Sequence, residues 1–164
     1  PVHQITIVPR GQAGGMTIAL PEEDRSFLSK RYLEDRIVAL LGGRMAEKLC
    51  LGDISTGAGS DLRRASHIAR TMVMRYGMSD KLGNVVFDSG HDEVFIGRSM
   101  AQAKTYSEET ANLIDEEVKA LLDNAYQTCR DILTRDRDKL EQVAQYLLEH
   151  EVMDGESFEK MMEG

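Results

Sequence analysis

From Ser26 onward the apolar residues of this chain recur at three- and four-residue steps. That period constrains the fold more than any other feature. Leu33, Ile37, Leu40, Leu41, Met45 and Leu49 form one stripe. Leu62, Ala65, Ile68, Ala69, Met72, Val73 and Tyr76 form a second. Each stripe marks a helix with one buried face and one wet face. Ala111, Ile114, Val118, Leu121, Ala125 and Ile132 make a narrow, heptad-like seam along a long helix starting near Ser107. Leu140, Val143, Ala144, Leu147 and Leu148 follow on another helix, and Phe158, Met161 and Met162 on a short last one. The expected architecture is therefore mainly α. Its C-terminal part reads as an antiparallel helical hairpin with a capping helix, the seam packing on the next helix through Val118, Leu121 and Ala125.

The first twenty residues follow a different period. His3, Ile5 and Ile7 alternate with Val2, Gln4, Thr6 and Val8, and β-branched residues suit a pleated strand. Pro9-Arg10-Gly11 interrupts that strand. Gly14-Gly15 precedes a second one, Met16 to Leu20, which Pro21 ends. The two are expected to pair as a small antiparallel ribbon that needs a helix layer for support. A further hairpin is expected where Val85-Val86-Phe87 and Val94-Phe95-Ile96 flank a polar turn.

Three local signals refine the helical reading. Gly42-Gly43 lies inside the first stripe, at a cost of about 1 kcal/mol per glycine relative to Ala. A close approach by another backbone or a bound group is expected there. The small residues Ser55 to Ser60 read as a loop ending in Ser60 as N-cap. Gly77 reads as the glycine that closes the second helix.

Composition bounds the function. The chain has 164 residues, enough for one compact domain. It is 41% hydrophobic and 29% charged, which supports a soluble folded core. No apolar run reaches the roughly 20 residues of a membrane-spanning helix, and no signal peptide opens the chain. A net charge of −8 argues against nucleic acid as a partner. Cys50 and Cys129 are far apart, so they suggest a reducing compartment rather than a disulfide framework. The chain begins at Pro1 rather than Met and is read as an excerpt from a longer protein.

Few residues carry chemistry by pattern alone. There is no phosphate-loop motif and no nucleophile elbow. His3, His67, His91 and His150 include no pair at i, i+4 spacing, and His150 suits a helix C-terminus. Asp61 follows the small-residue loop, in the first turn of its helix and on the line of the apolar stripe. By spacing it either complements the helix dipole, pairs with Arg64 at i+3, or faces a site. Glu47, on the edge of the first stripe, poses the same choice.

Taken in order, the motifs resemble one family. They are Pro1-Val-His-Gln-Ile-Thr-Ile-Val-Pro-Arg-Gly11, Leu20-Pro-Glu-Glu-Asp24, Leu41-Gly-Gly-Arg-Met-Ala-Glu47 and Ser55-Thr-Gly-Ala-Gly-Ser-Asp61. Tyr76-Gly-Met78, Tyr106-Ser-Glu-Glu-Thr110 and Ile114-Asp-Glu-Glu-Val118 follow. The chain resembles the peptidase domain of the FtsH-type ATP-dependent zinc metalloproteases over nearly its whole length. The resemblance implies a partial zinc-peptidase domain over residues 1–164, with an active-site half at 1–100 and a C-terminal helical part at 101–164. It implies Zn²⁺ as cofactor, with Asp61 as a ligand and Glu47 beside the site, orienting a ligand His. It also implies a substrate-accepting strand edge at Gly15, Met16 and Thr17.

Two departures stand out within the matched motifs. Ser60 replaces the Asn common before the ligand Asp, and Lys48 replaces a second Glu at a position expected to face solvent. A larger one is that no His-Glu-x-x-His occurs in the chain. In the family that helix lies just upstream of the segment matching Pro1, and it carries two His ligands and the catalytic Glu. The ATPase domain, with ATP and Mg²⁺, and the membrane anchor precede it. By resemblance the parent is a homo-hexameric protease of the bacterial inner membrane, facing the cytoplasm and degrading unfolded, membrane and regulatory proteins. The excerpt alone is expected to be soluble and inactive. The competing reading is a non-enzymatic helical module that self-associates through the Ala111–Ile132 seam.

Overall fold

The computed structural model describes residues 1–20, 26–87 and 105–164. Among these the elements run β1 (Val2–Thr6), β2 (Met16–Ala19), α1 (Lys30–Leu40), α2 (Gly42–Leu51), a 3₁₀ turn (Thr56–Ala58) and α3 (Gly59–Met74). Then come α4 (Glu108–Arg135), α5 (Arg137–His150), β3 (Val152–Asp154) and α6 (Gly155–Glu163). The chain is mainly helical with a small sheet at its N-terminus, as its periodicity predicts. Two compact units are present: residues 1–27 with 130–164, and residues 28–129.

The first unit holds a three-stranded sheet in the order β2-β1-β3. β1 pairs antiparallel with β2, setting Ile5 opposite Thr17 and Thr6 opposite Met16, with an irregularity between Val2 and Gln4. β1 also pairs antiparallel with β3, setting Ile5 opposite Met153. The expected two-stranded ribbon is thus one strand short. β3 is only three residues long and has no readable alternation of its own, and the free edge of β1 makes it a strand. The expected helical support is α6, which packs on β1. Its N-cap, Asp154, accepts from the Ser157 N–H at 2.8 Å.

The second unit is a helical core. Leu33, Ile37 and Leu41 meet Ala65, Ala69, Met72 and Val73 of α3 and Ile114, Val118 and Ala125 of α4. The α4 seam residues Ile114, Val118 and Ala125 pack with α1 and α3, with Leu121 at their margin. The spacing reports that one face of α4 is buried. It carries no information about which helix does the burying. Within the Ala111–Ile132 seam, Ile114, Val118 and Ala125 are buried, while Ala111 is half-buried and Ile132 is exposed.

Three local expectations are corrected. The first stripe spans two helices, α1 and α2, joined at Leu41. Gly42 and Gly43 begin the second of these, and a Cβ on either would meet no atom within 4 Å. The pair sits at a helix joint rather than under a neighbouring backbone. Ser60 is not an N-cap, because α3 already starts at Gly59. The serine that caps is Ser55, which accepts from the Gly57 N–H at the start of the 3₁₀ turn. Gly77 does adopt a left-handed backbone, φ +61, just past α3. Of the hairpin expected at 85–96, the strand at 94–96 lies outside the described residues. Val85 to Phe87 is irregular, and the Phe87 N–H donates to the Met74 carbonyl at 2.7 Å.

Candidate functional site

Asp61 lies in the first turn of α3, as its position after the small-residue loop predicts. Its side chain is 46% exposed, and Oδ1 is 3.9 Å from Arg64 Nη1. The i+3 pairing is therefore present but long and wet, a geometry worth about 0–1 kcal/mol. It leaves the carboxylate available to another partner. One turn on, Arg63, Arg64, His67 and Ile68 of α3 join Arg36 of α1 around an open groove. Asp61 thus borders a cationic surface on an otherwise acidic chain. Neither composition nor net charge marks this cluster, because both average over the whole chain. The i, i+3 and i+4 spacing of Arg63, Arg64 and His67 was the available signal.

Glu47 is on α2, whose C-terminal end leads into the loop before α3. Both carboxylate oxygens are engaged by one residue. Ser55 Oγ donates to Oε1 at 2.5 Å, and the Ser55 N–H donates to Oε2 at 3.1 Å. The hydroxyl bond, then the backbone bond, hold the Glu47 carboxyl below its usual range, and Arg44 adds to the effect. Ser55 was not singled out by sequence. Its signal was a serine two residues before a glycine in a small-residue stretch, the pattern of a hydroxyl-closed turn. Lys48, the departure beside Glu47, is exposed as expected, with Nζ 5.8 Å from the centre of the Tyr126 ring.

Gly15, Met16 and Thr17 belong to the other unit and are described there. All three are exposed, and β2 forms one edge of the sheet. A Cβ on Gly15 would lie 2.9 Å from the Thr6 carbonyl oxygen, so glycine is what lets the chain approach β1 this closely. His150 stacks on Tyr146 at 4.2 Å, with Nδ1 3.1 Å from the Tyr146 carbonyl oxygen, which is a helix-end role.

The profile of peptidase family M41 matches residues 1–161. The chain belongs to this family. It is 51% identical over 164 residues to ATP-dependent zinc metalloprotease FtsH 1 of Thermoanaerobacter sp. (strain X514), covering all of this chain and 27% of that protein. It is 52% identical over 162 residues to ATP-dependent zinc metalloprotease FtsH of Caldicellulosiruptor bescii, covering 99% and 26%. The Bacillus subtilis protein of the same name is 47% identical over 163 residues, again covering 99% and 26%. The chain spans about a quarter of the length of these relatives.

A zinc centre needs about three protein ligands and an open position. Among the described residues no group of three His, Cys, Asp or Glu side chains converges to hold a metal ion. Asp61 offers one half-exposed carboxylate as an oxygen donor, and the described residues do not form a three-ligand centre by themselves. No described helix is long and apolar enough to cross a membrane.

Proposed function

We propose that this M41 chain is the peptidase portion of an ATP-dependent zinc metalloprotease that hydrolyses peptide bonds in unfolded, membrane and regulatory proteins. The observation that carries the reading is Asp61. It is a half-exposed carboxylate in the first turn of α3, in a chain matched to the peptidase family from residue 1 to 161. In this reading residues 1–100 hold the active-site half. Asp61 supplies one oxygen ligand, and a His-Glu-x-x-His helix outside this chain supplies two imidazoles and the general base. Zinc, when bound, polarises the scissile carbonyl and activates water. Asp61 contributes negative charge and a fixed donor position. The exposed β2 edge at Gly15, Met16 and Thr17 accepts an extended substrate by strand addition.

The relatives' names support ATP dependence, and their length leaves room for an ATPase domain using ATP and Mg²⁺. Inner-membrane anchoring on the cytoplasmic face and homo-hexameric assembly belong to the same proposal. The 164-residue chain alone is expected to bind zinc weakly and cleave nothing.

The test is Asp61→Asn in the full-length protein, scored by zinc stoichiometry and casein cleavage together. The amide keeps the shape and removes the charge that an oxygen ligand brings to Zn²⁺. Both readouts should fall by more than the roughly 10–100-fold typical of groups that only support a ligand. Full zinc occupancy with normal cleavage would end the assignment.

A further inference from the structure

We propose that Ser55 is a positioning residue for Asp61, the pivot of a latch that ties α2 to the turn ahead of α3. The inference rests on the reading of Asp61 as a metal ligand. Ser55 uses every polar group of its side chain, and its amide, in one arrangement. Its hydroxyl donates to Glu47 Oε1 at 2.5 Å and accepts from the Gly57 N–H at 3.1 Å, while its own N–H donates to Glu47 Oε2 at 3.1 Å. The two bonds to the carboxylate are charge-assisted, the stronger class of hydrogen bond. Gly57 completes the fit. A Cβ there would lie 3.2 Å from Ser55 Oγ and 3.6 Å from Glu47 Oε1, so the space beside the latch is already filled.

The latch matters because α3 has no side-chain cap of its own. Ala58 stands at its N-cap, and the Gly59 N–H closes back on the Thr56 carbonyl. The direction of the first turn, where Asp61 sits, is inherited from the Thr56–Ala58 turn, and that turn is held by Ser55. Glu47 thus acts on the site through Ser55 and the backbone of the turn. Metal and catalytic geometries tolerate errors of only about 0.5 Å. A latch lying at the surface can therefore contribute little to global stability and still govern ligand placement.

The two routes for Glu47, through Ser55 or directly on a ligand His, separate in a double-mutant cycle. Ser55→Ala, Glu47→Gln and the double variant would be made in the full-length protein. Zinc dissociation constants would be measured by chelator competition, with melting temperatures alongside. Ser55→Ala should weaken zinc binding about 10–100-fold with a nearly unchanged melting temperature. The double variant should be no weaker than the worse single one. Ser55→Thr, which keeps the hydroxyl, should restore affinity. Gly57→Ala, which crowds the latch but leaves both partners in place, should mimic the loss. Zinc affinity within twofold of the parent in both Ser55→Ala and Gly57→Ala would overturn the latch, as would single losses that multiply in the double variant. Asp61→Asn, run in parallel, keeps the two ideas apart. If it loses zinc while Ser55→Ala does not, only the latch fails. If Asp61→Asn keeps zinc, the ligand reading falls and the latch's role in metal binding falls with it.

Discussion

Gly155→Ala should pull β3 away from β1. A Cβ at this position would lie 2.3 Å from the Val2 carbonyl oxygen and 3.3 Å from that of His3. Both are backbone atoms, so no rotamer change relieves the overlap. Relief requires a backbone shift of about 0.7–1 Å, since carbon and oxygen do not approach much below ~3.2 Å. Gly155 directly follows β3, so the shift is passed to Asp154 and Met153, which pair with Gln4 and Ile5. Met153 is fully buried, and moving it disturbs the packing of its unit. Overpacking of this kind costs about 1–3 kcal/mol. One or two weakened hydrogen bonds add about 1 kcal/mol each. Exchanging glycine for alanine in α6 returns up to about 1 kcal/mol.

The net expected loss is about 2–3 kcal/mol, which lowers a urea midpoint by roughly 1–2 M at ordinary slopes. Urea titration by far-UV circular dichroism reads the midpoint. Amide exchange at Ile7, whose N–H donates to the Glu151 carbonyl at 3.0 Å, reads the local separation. Gly43→Ala is the control, because its Cβ would meet nothing within 4 Å. That variant should be neutral or slightly stabilised. A Gly155→Ala midpoint equal to the parent's, with Ile7 still protected, would refute the steric reasoning.

Met72 is fully buried between the α3 stripe and its neighbours, so Met72→Ala should cost about 2–5 kcal/mol, read by chemical denaturation. The Asp154 carboxyl is held below its usual range by Ser157, chiefly through the hydroxyl and then the N–H. A depressed folded pKa means that its stabilisation of α6 is present above the unfolded value near pH 4 and disappears as pH falls through the folded value. Asp154→Asn should keep the cap and flatten that acid response in a melting-temperature series from pH 7 to 3. If β2 takes substrate by edge pairing, peptides N-methylated at alternate positions should compete for cleavage more weakly than their unmethylated parents in the full-length protein. Equal inhibition constants would assign the β2 edge a purely structural role.

The sequence by itself determined where helices form and which face of each is buried. Periodicity is a local property, and the stripes at Leu33–Leu41, Leu62–Val73 and Ile114–Ala125 all lie in the core that they predict. Asp61's place in a first turn was legible for the same reason, because a loop of small residues followed by a helical period needs no distant information. Partner choice was not legible. That the α4 seam packs with α1 and α3, that Val152–Asp154 becomes a strand against β1, and that Glu47 is bound by Ser55 eight residues away all depend on meetings between separate segments. A heptad seam fits any apolar groove of the right width, a three-residue strand is defined only by the edge it joins, and a surface carboxylate takes whichever donors the turn presents. The tertiary structure decides these because each interaction exists only once chain closure has brought both partners together.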